Sequence, residues 1–221
     1  MRFSPCLVLT VSLLCAPLIA GLLDPSDAPE PTASVGEGRT PIDALPHVIT
    51  EPGSYVVVKN LTLSALNTDG ITVSAENVTI DLNGFTLTGP GKTAGSMGMG
   101  IRSLDLANIV VVNGVVREFR DLGVFLEGEN HHVAGLRVYN NGGSGIVVGT
   151  GCTVADCNVR FNGGGGIVAV GGSVVRGNSA TFNFATGISA TNSLIIGNAC
   201  YLNGSLNISG ANSTIVNNHA P

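Results

Sequence analysis

A glycine followed by a β-branched residue recurs along this chain at nearly constant intervals: Gly70-Ile71, Gly100-Ile101, Gly123-Val124, Gly145-Ile146, Gly166-Ile167 and Gly187-Ile188, with steps of 30, 23, 22, 21 and 21 residues. A unit of roughly 21 residues cannot bury a core alone, so successive copies must stack and share one. A weaker seventh copy without the glycine runs through Asn207-Ile208. Each copy continues into a second short apolar strand, such as Val78-Thr79-Ile80, Val133 to Leu136 or Leu194-Ile195. Most add a third, at Val115-Val116, Val138-Tyr139, Val159-Arg160, Ala180-Thr181 and Ala199 to Leu202. Three short strands per copy, with Gly or Asn between them, predict an all-β parallel solenoid of about seven rungs, each strand pairing with its equivalent in the next rung.

Composition agrees with this reading. The 31 glycines are spread at solenoid intervals and do not fall at every third position, which excludes collagen. Apolar residues make up 44% of the chain and charged residues 11%, so there is core material and little of the charge typical of disorder. Asparagine marks the corners in two series, Asn141, Asn162, Asn183, Asn203 and Asn158, Asn178, Asn198, Asn218. Asparagine tolerates the left-handed backbone region, and stacked amides can hydrogen-bond from rung to rung, so inward Asn ladders are expected. A leucine-rich repeat would need an LxxLxL pattern, which is absent. Net charge is −5, which argues against a nucleic-acid or anionic-membrane partner. With no Trp, three Tyr and seven Phe, a large aromatic stacking platform is not expected.

The ends divide as follows. Residues 1–20 read as a secretory leader, with Arg2 as the positive region, Leu7 to Leu14 as the apolar region and cleavage near Ala20. The apolar stretch is shorter than a membrane-spanning helix needs and is interrupted by Pro17, so no stable membrane span is expected and the mature chain should lie outside the cytoplasm. Residues 21–40 lack apolar periodicity and read as a linker, 41–69 as an N-terminal cap with the first strands, and 70–221 as the rungs. Little sequence follows the last rung, so end-to-end self-association is a further expectation. Cys152, Cys157 and Cys200 form no even framework. Small buried thiols are favoured, with a Cys152–Cys157 bridge as the alternative.

The segments GITVSAENVTIDLNGFTLTG and GIRSLDLANIVVVNGVVREF, with the repeat that follows, resemble the right-handed parallel β-helix proteins of pectin-lyase-like architecture, in particular secreted bacterial members, over Ile49 to Asn218. The resemblance implies the right-handed coil. It does not imply one activity, because lyases, hydrolases, epimerases, tailspikes and members without known activity share this architecture. Asn67-Thr68-Asp69-Gly70 is similar to the motif that supplies a catalytic aspartate in polygalacturonases, but that family's other motifs do not follow. Asp69 is therefore a weak catalytic candidate, as are His131 and His132, whose position reads as a solvated corner. Metal ligands and cofactors are not expected, since no acid cluster or zinc spacing is visible.

A more regular feature lies six residues before each repeat glycine, at Arg117, Tyr139, Arg160 and Thr181, and continues at Tyr201. Their neighbours Val116, Val138, Val159, Ala180 and Cys200 are apolar, so strand alternation turns the Arg/Tyr column outward. Arginine donates paired hydrogen bonds to carboxylates and tyrosine offers a ring to a sugar's C–H face, so this column is the expected ligand-binding surface for a polysaccharide or cell-surface glycan. A non-catalytic carbohydrate-binding or structural module is the first functional expectation; a polysaccharide lyase, epimerase or hydrolase is the alternative.

Overall fold

The computed structural model describes residues 38–92 and 97–221. The expected leader, most of the expected linker, and four residues of the loop between Gly89 and Gly98 lie outside the described residues. Among the described residues there is no helix, and so none long and apolar enough to cross a membrane.

The chain winds as a coil of parallel strands. The strands that follow the repeat glycines form one eight-stranded sheet from His47–Ile49 through Ile71–Val73 to Ile208–Ala211. One column runs in register through it, Ile71 pairing with Ile101, Ile101 with Val124, and so on to Ile208. The second and third strands of each turn build the remaining faces, and in Ile109–Arg117 and His132–Tyr139 they run on through the corner as single strands. About eight turns result, one more than the glycine repeat indicates. The extra turn is at the N-terminal side, where the segment expected as a cap already pairs in parallel, His47 with Ile71 and Gly53 with Val78.

Alternation within each strand sends one set of side chains inward. Ile71, Ile101, Val124, Ile146, Ile167 and Ile188 stack on the first face and Val116, Val138, Val159, Ala180 and Cys200 on the third, all with no exposed surface. Each large aliphatic side chain so buried contributes about 1.5–3 kcal/mol. The repeat glycines are needed for close approach: a Cβ on Gly145 would lie 2.3 Å from a methyl of Val159, and one on Gly123 2.5 Å from a methyl of Val138. In the last turn Asn207 replaces the glycine, and its Oδ1 accepts from the Asn203 side chain at 3.0 Å, as the amide of another turn would.

Most corners contain one residue with positive φ, followed by one whose side chain points inward. At the first corner the positive-φ residues are Asn77, Asn108, Asn130, Gly151, Gly172, Asn192 and Asn212; at the second Asn113, Gly135, Asp156, Gly177, Gly197 and Asn217. Turning the corner takes one backbone N–H per turn out of the strand ladders, and a buried orphan N–H is costly. The inward side chain one turn further along accepts it. At the third corner Asn141, Asn162, Asn183 and Asn203 accept the N–H of Phe119, Asn141, Asn162 and Asn183 at 3.0–3.2 Å. Asn178, Asn198 and Asn218 do the same at the second corner, for Cys157, Asn178 and Asn198. The first corner holds a ladder without asparagine, in which His131, Cys152, Ser173, Ser193 and Ser213 serve as acceptors.

One expectation changes here, and one alternative is removed. Asn158 is not a ladder residue: it pairs with Arg137 and Ser179 and is exposed, while Cys157 occupies the inward place. The step shortens from 21 to 20 residues only after Asn178, so a constant step of 20 counted backwards lands one residue off. The cysteines are free and buried, with Cys152 and Cys157 at different corners, so the bridge is not formed. Burial pushes the thiols of Cys157 and Cys200 up to about 11, which leaves them unreactive.

Candidate functional site

The outer face of the third strands carries the expected column in register. Thr88 pairs with Arg117, Arg117 with Tyr139, Tyr139 with Arg160, Arg160 with Thr181, and Thr181 with Tyr201. Alternation turns these side chains outward because their neighbours are the wholly buried Val116, Val138, Val159, Ala180 and Cys200. A second outward column lies two residues earlier, where Val115 pairs with Arg137 and Arg137 with Asn158. Sequence reasoning missed Arg137, although the same two-residue alternation counted back from Tyr139 reaches it.

Between the columns is a groove of about 350 Å³ lined by Thr86, Val115, Arg137, Tyr139, Asn158 and Arg160. The Arg160 guanidinium lies 5.7 Å from the centre of the Tyr139 ring and 5.5 Å from that of Phe161, which holds it across two rings. Arg117 pairs with Glu118 at 3.0 Å. Among the described residues neither Arg137 nor Arg160 has a carboxylate partner. The groove therefore concentrates positive charge on a chain whose net charge is −5. It offers guanidinium donors for carboxylate or sulfate oxygens, an amide and a phenol.

Beside this groove the third corner departs from the other two. Its positive-φ residues are Glu118, Asn140, Phe161, Phe182 and Leu202, with φ from 51° to 60°. For a bulky side chain that conformation costs roughly 1–2 kcal/mol. Phe161, Phe182 and Leu202 are 44%, 45% and 54% exposed, so about half of each side chain gains nothing from burial. The two phenyl rings stack, with centroids 5.1 Å apart. Although aromatics are scarce in the chain, they are concentrated at this edge.

The weak catalytic candidates lie elsewhere and do not converge. Asp69 accepts from the Met99 N–H at 2.9 Å and pairs with Arg102 at 3.1 Å. Burial, and then the charge of Asp69, push the Asp121 carboxyl up. His132 points outward beside Val110 and Thr153 on the second face. His131 corrects the expectation of a solvated corner, being only 2% exposed. Its Nδ1 accepts the Ile109 N–H at 3.2 Å, and its Nε2 lies 3.2 Å from the Glu127 carbonyl, so the neutral ring with its proton on Nε2 satisfies both contacts. The reason is the corner: Asn130 has positive φ, and the residue after such a position points inward, as Cys152 and Ser173 do. Among the described residues no group of three His, Cys, Asp or Glu side chains is placed to hold a metal ion.

His131 makes the fold sensitive to acid. Burial lowers its pKa below 6.5, outweighing the opposing effects of the Glu127 carbonyl and the Glu129 charge. The unfolded chain then takes up this proton before the folded one does. The contribution is fully present above pH 6.5 and is lost as pH falls from there through the folded pKa. Asp121 has the opposite sign and acts in the carboxylate range. The melting temperature is expected to drop between pH 7.5 and pH 5, and to drop less in His131→Asn, which titrates nothing at this corner. Equal drops in the two proteins would show that protonation of His131 is not the cause.

The family described as right handed beta helix region matches residues 47–220. Among solved structures, the enzymatically active domain of tailspike protein 2 of bacteriophage CBA120 is similar with a TM-score of 0.43 and 15% identity, over 82% of this chain and 38% of that one. The chain thus spans less than half the length of that tailspike domain. No curated protein matches.

Proposed function

The chain belongs to the right-handed β-helix family, and within that fold we propose that it is a non-catalytic module that binds an acidic saccharide on the outer face of its third strands. The observation that carries this reading is the groove of about 350 Å³ in which Arg137 and Arg160, without carboxylate partners among the described residues, flank Tyr139. A guanidinium presents a planar pair of donors that fits a carboxylate or sulfate, and the phenol ring gives an apolar surface to a sugar's C–H groups. Arg117, Thr181 and Tyr201 extend the same column along the coil, so a linear chain lying parallel to the axis meets one column residue per turn, roughly every 4.8 Å.

Binding without catalysis is supported by what borders the groove. Glu118 is the carboxylate beside the column, and it is engaged by Arg117. Asp69, His131 and His132 are placed at other corners or faces, so among the described residues these candidates form no acid–base pair across the groove. The leader read at residues 1–20 supports a location outside the cytoplasm, where such glycans occur.

The test is titration of uronan oligosaccharides into the protein and its Arg117→Ala, Arg137→Ala, Tyr139→Ala and Arg160→Ala variants. Affinity of roughly 10 µM to 1 mM that weakens with salt is expected, with the largest losses at Arg137 and Arg160. Unchanged affinity in all four variants would remove this face. Release of unsaturated uronides, followed by ultraviolet absorbance, would replace binding with a lyase activity.

A further inference from the structure

Phe161, Phe182 and Leu202 adopt positive φ at 54°, 55° and 51°, where the other two corners use Asn, Gly or Asp. Asn140, in the same column one turn before Phe161, shows that asparagine fits this corner as well. Three bulky side chains therefore keep an unfavourable backbone conformation while about half exposed, at a corner where asparagine fits without that strain. Strain retained at an exposed position beside a groove points to a ligand. The ridge adjoins the groove through Arg160, whose guanidinium lies over both the Phe161 and the Tyr139 rings.

The form of the ridge restricts what it accepts. Phe161 and Phe182 are stacked with an interplanar angle of 17°, and Arg160 covers Phe161 as well. Phe161 and Phe182 each spend one face on the other and Arg160 lies over Phe161, so ring edges, continued by the Leu202 side chain, remain for a ligand. A hydrocarbon strip of ring edges and methyl groups is poorly suited to stacking on a flat pyranose ring. It is suited to small apolar groups projecting from a saccharide whose charged groups sit on the arginines. We infer that the saccharide bound in the groove carries small acyl substituents, of which O-acetyl is the simplest, and that Phe161, Phe182 and Leu202 select for them. This inference rests on the acidic-saccharide reading above and adds the substituent.

The experiment uses an O-acetylated uronan oligosaccharide and the same sample after mild alkaline removal of its esters, each titrated into the full chain and into the Phe161→Asn/Phe182→Asn/Leu202→Asn variant. The parent is expected to bind the acetylated form more tightly, by roughly fourfold for each methyl seated on the ridge. The triple variant is expected to bind both forms equally, and more weakly than the parent binds the de-esterified one, because Arg160 loses the Phe161 ring that holds it. Its circular dichroism should show the parent's sheet signal, because asparagine tolerates the corner; this separates lost selectivity from lost folding. Equal binding of the two forms by the parent, or a preference that survives in the triple variant, would overturn the inference and leave the groove intact. Binding of neither form by the parent would overturn the acidic-saccharide reading and this inference with it.

Discussion

Replacing Val159 by aspartate is expected to unfold several turns of the coil at once, which is the largest single-residue effect the structure predicts. Val159 has no exposed surface and pairs with Val138 on one side and Ala180 on the other, both equally buried. One of its methyl groups also lies against Gly145, where a Cβ would come within 2.3 Å. No cation is available to a carboxylate in this apolar column, and an unpaired buried charge costs several kcal/mol even when it takes up a proton. That is comparable with the whole stability of a small domain, about 5–15 kcal/mol. In a stacked repeat the damage does not stay in one turn, because each turn is stabilised by its neighbours on both sides. Circular dichroism should show a loss of sheet signal at room temperature, whereas Val159→Ala should stay folded with a lowered melting temperature. A native spectrum and an unchanged melting temperature in Val159→Asp would mean that this column does not face the core.

The second large effect is expected from Asn162→Leu, although the substitution replaces a polar residue in the interior by an apolar one. Asn162 Oδ1 accepts both the backbone N–H and the side-chain amide of Asn141, at 3.1 and 3.0 Å. Its own amide donates to the Val138 carbonyl at 3.2 Å and to Asn183 Oδ1 at 3.0 Å. Leucine leaves these partners in place without their counterparts, and each buried polar group stranded this way costs about 1–3 kcal/mol. With two donors on Asn141 and one carbonyl affected, a loss on the order of 4 kcal/mol is expected. Asn158→Leu provides the comparison, since Asn158 faces outward and should change stability by less than about 0.5 kcal/mol. Melting temperatures of the two variants measured side by side decide the matter. Equal shifts would show that the amide column is not what satisfies the corner.

Both predictions separate positions that look alike in the sequence. Asn158 and Asn162 are four residues apart in one repeat, and each belongs to a series with a regular step. Which amide faces the core depends on where the backbone turns. A residue with positive φ shifts the alternation, so inward and outward must be counted afresh after each corner. Asp156 is such a residue, and after it Cys157 points in and Asn158 out. Asn130 is another, and for the same reason His131 enters the core while His132 faces out.

The sequence by itself determined the solenoid, the length of its turns and the inward valines, because a repeat that must bury its apolar residues against copies of itself has few other ways to fold. It also determined the Arg117, Tyr139, Arg160, Thr181 and Tyr201 column, since alternation within one uninterrupted strand is a local property. The tertiary structure decided what a one-dimensional period cannot express. It set the handing-on of each corner N–H to a side chain one turn away, including a His-Cys-Ser ladder that shares no residue type from end to end. It also decided the groove, in which Arg137 and Asn158 from neighbouring turns meet Tyr139 and Arg160. The gathering of few aromatics into one exposed edge belongs here too, because Phe161 and Phe182 are 21 residues apart in the chain and become neighbours only when one turn is stacked on the next.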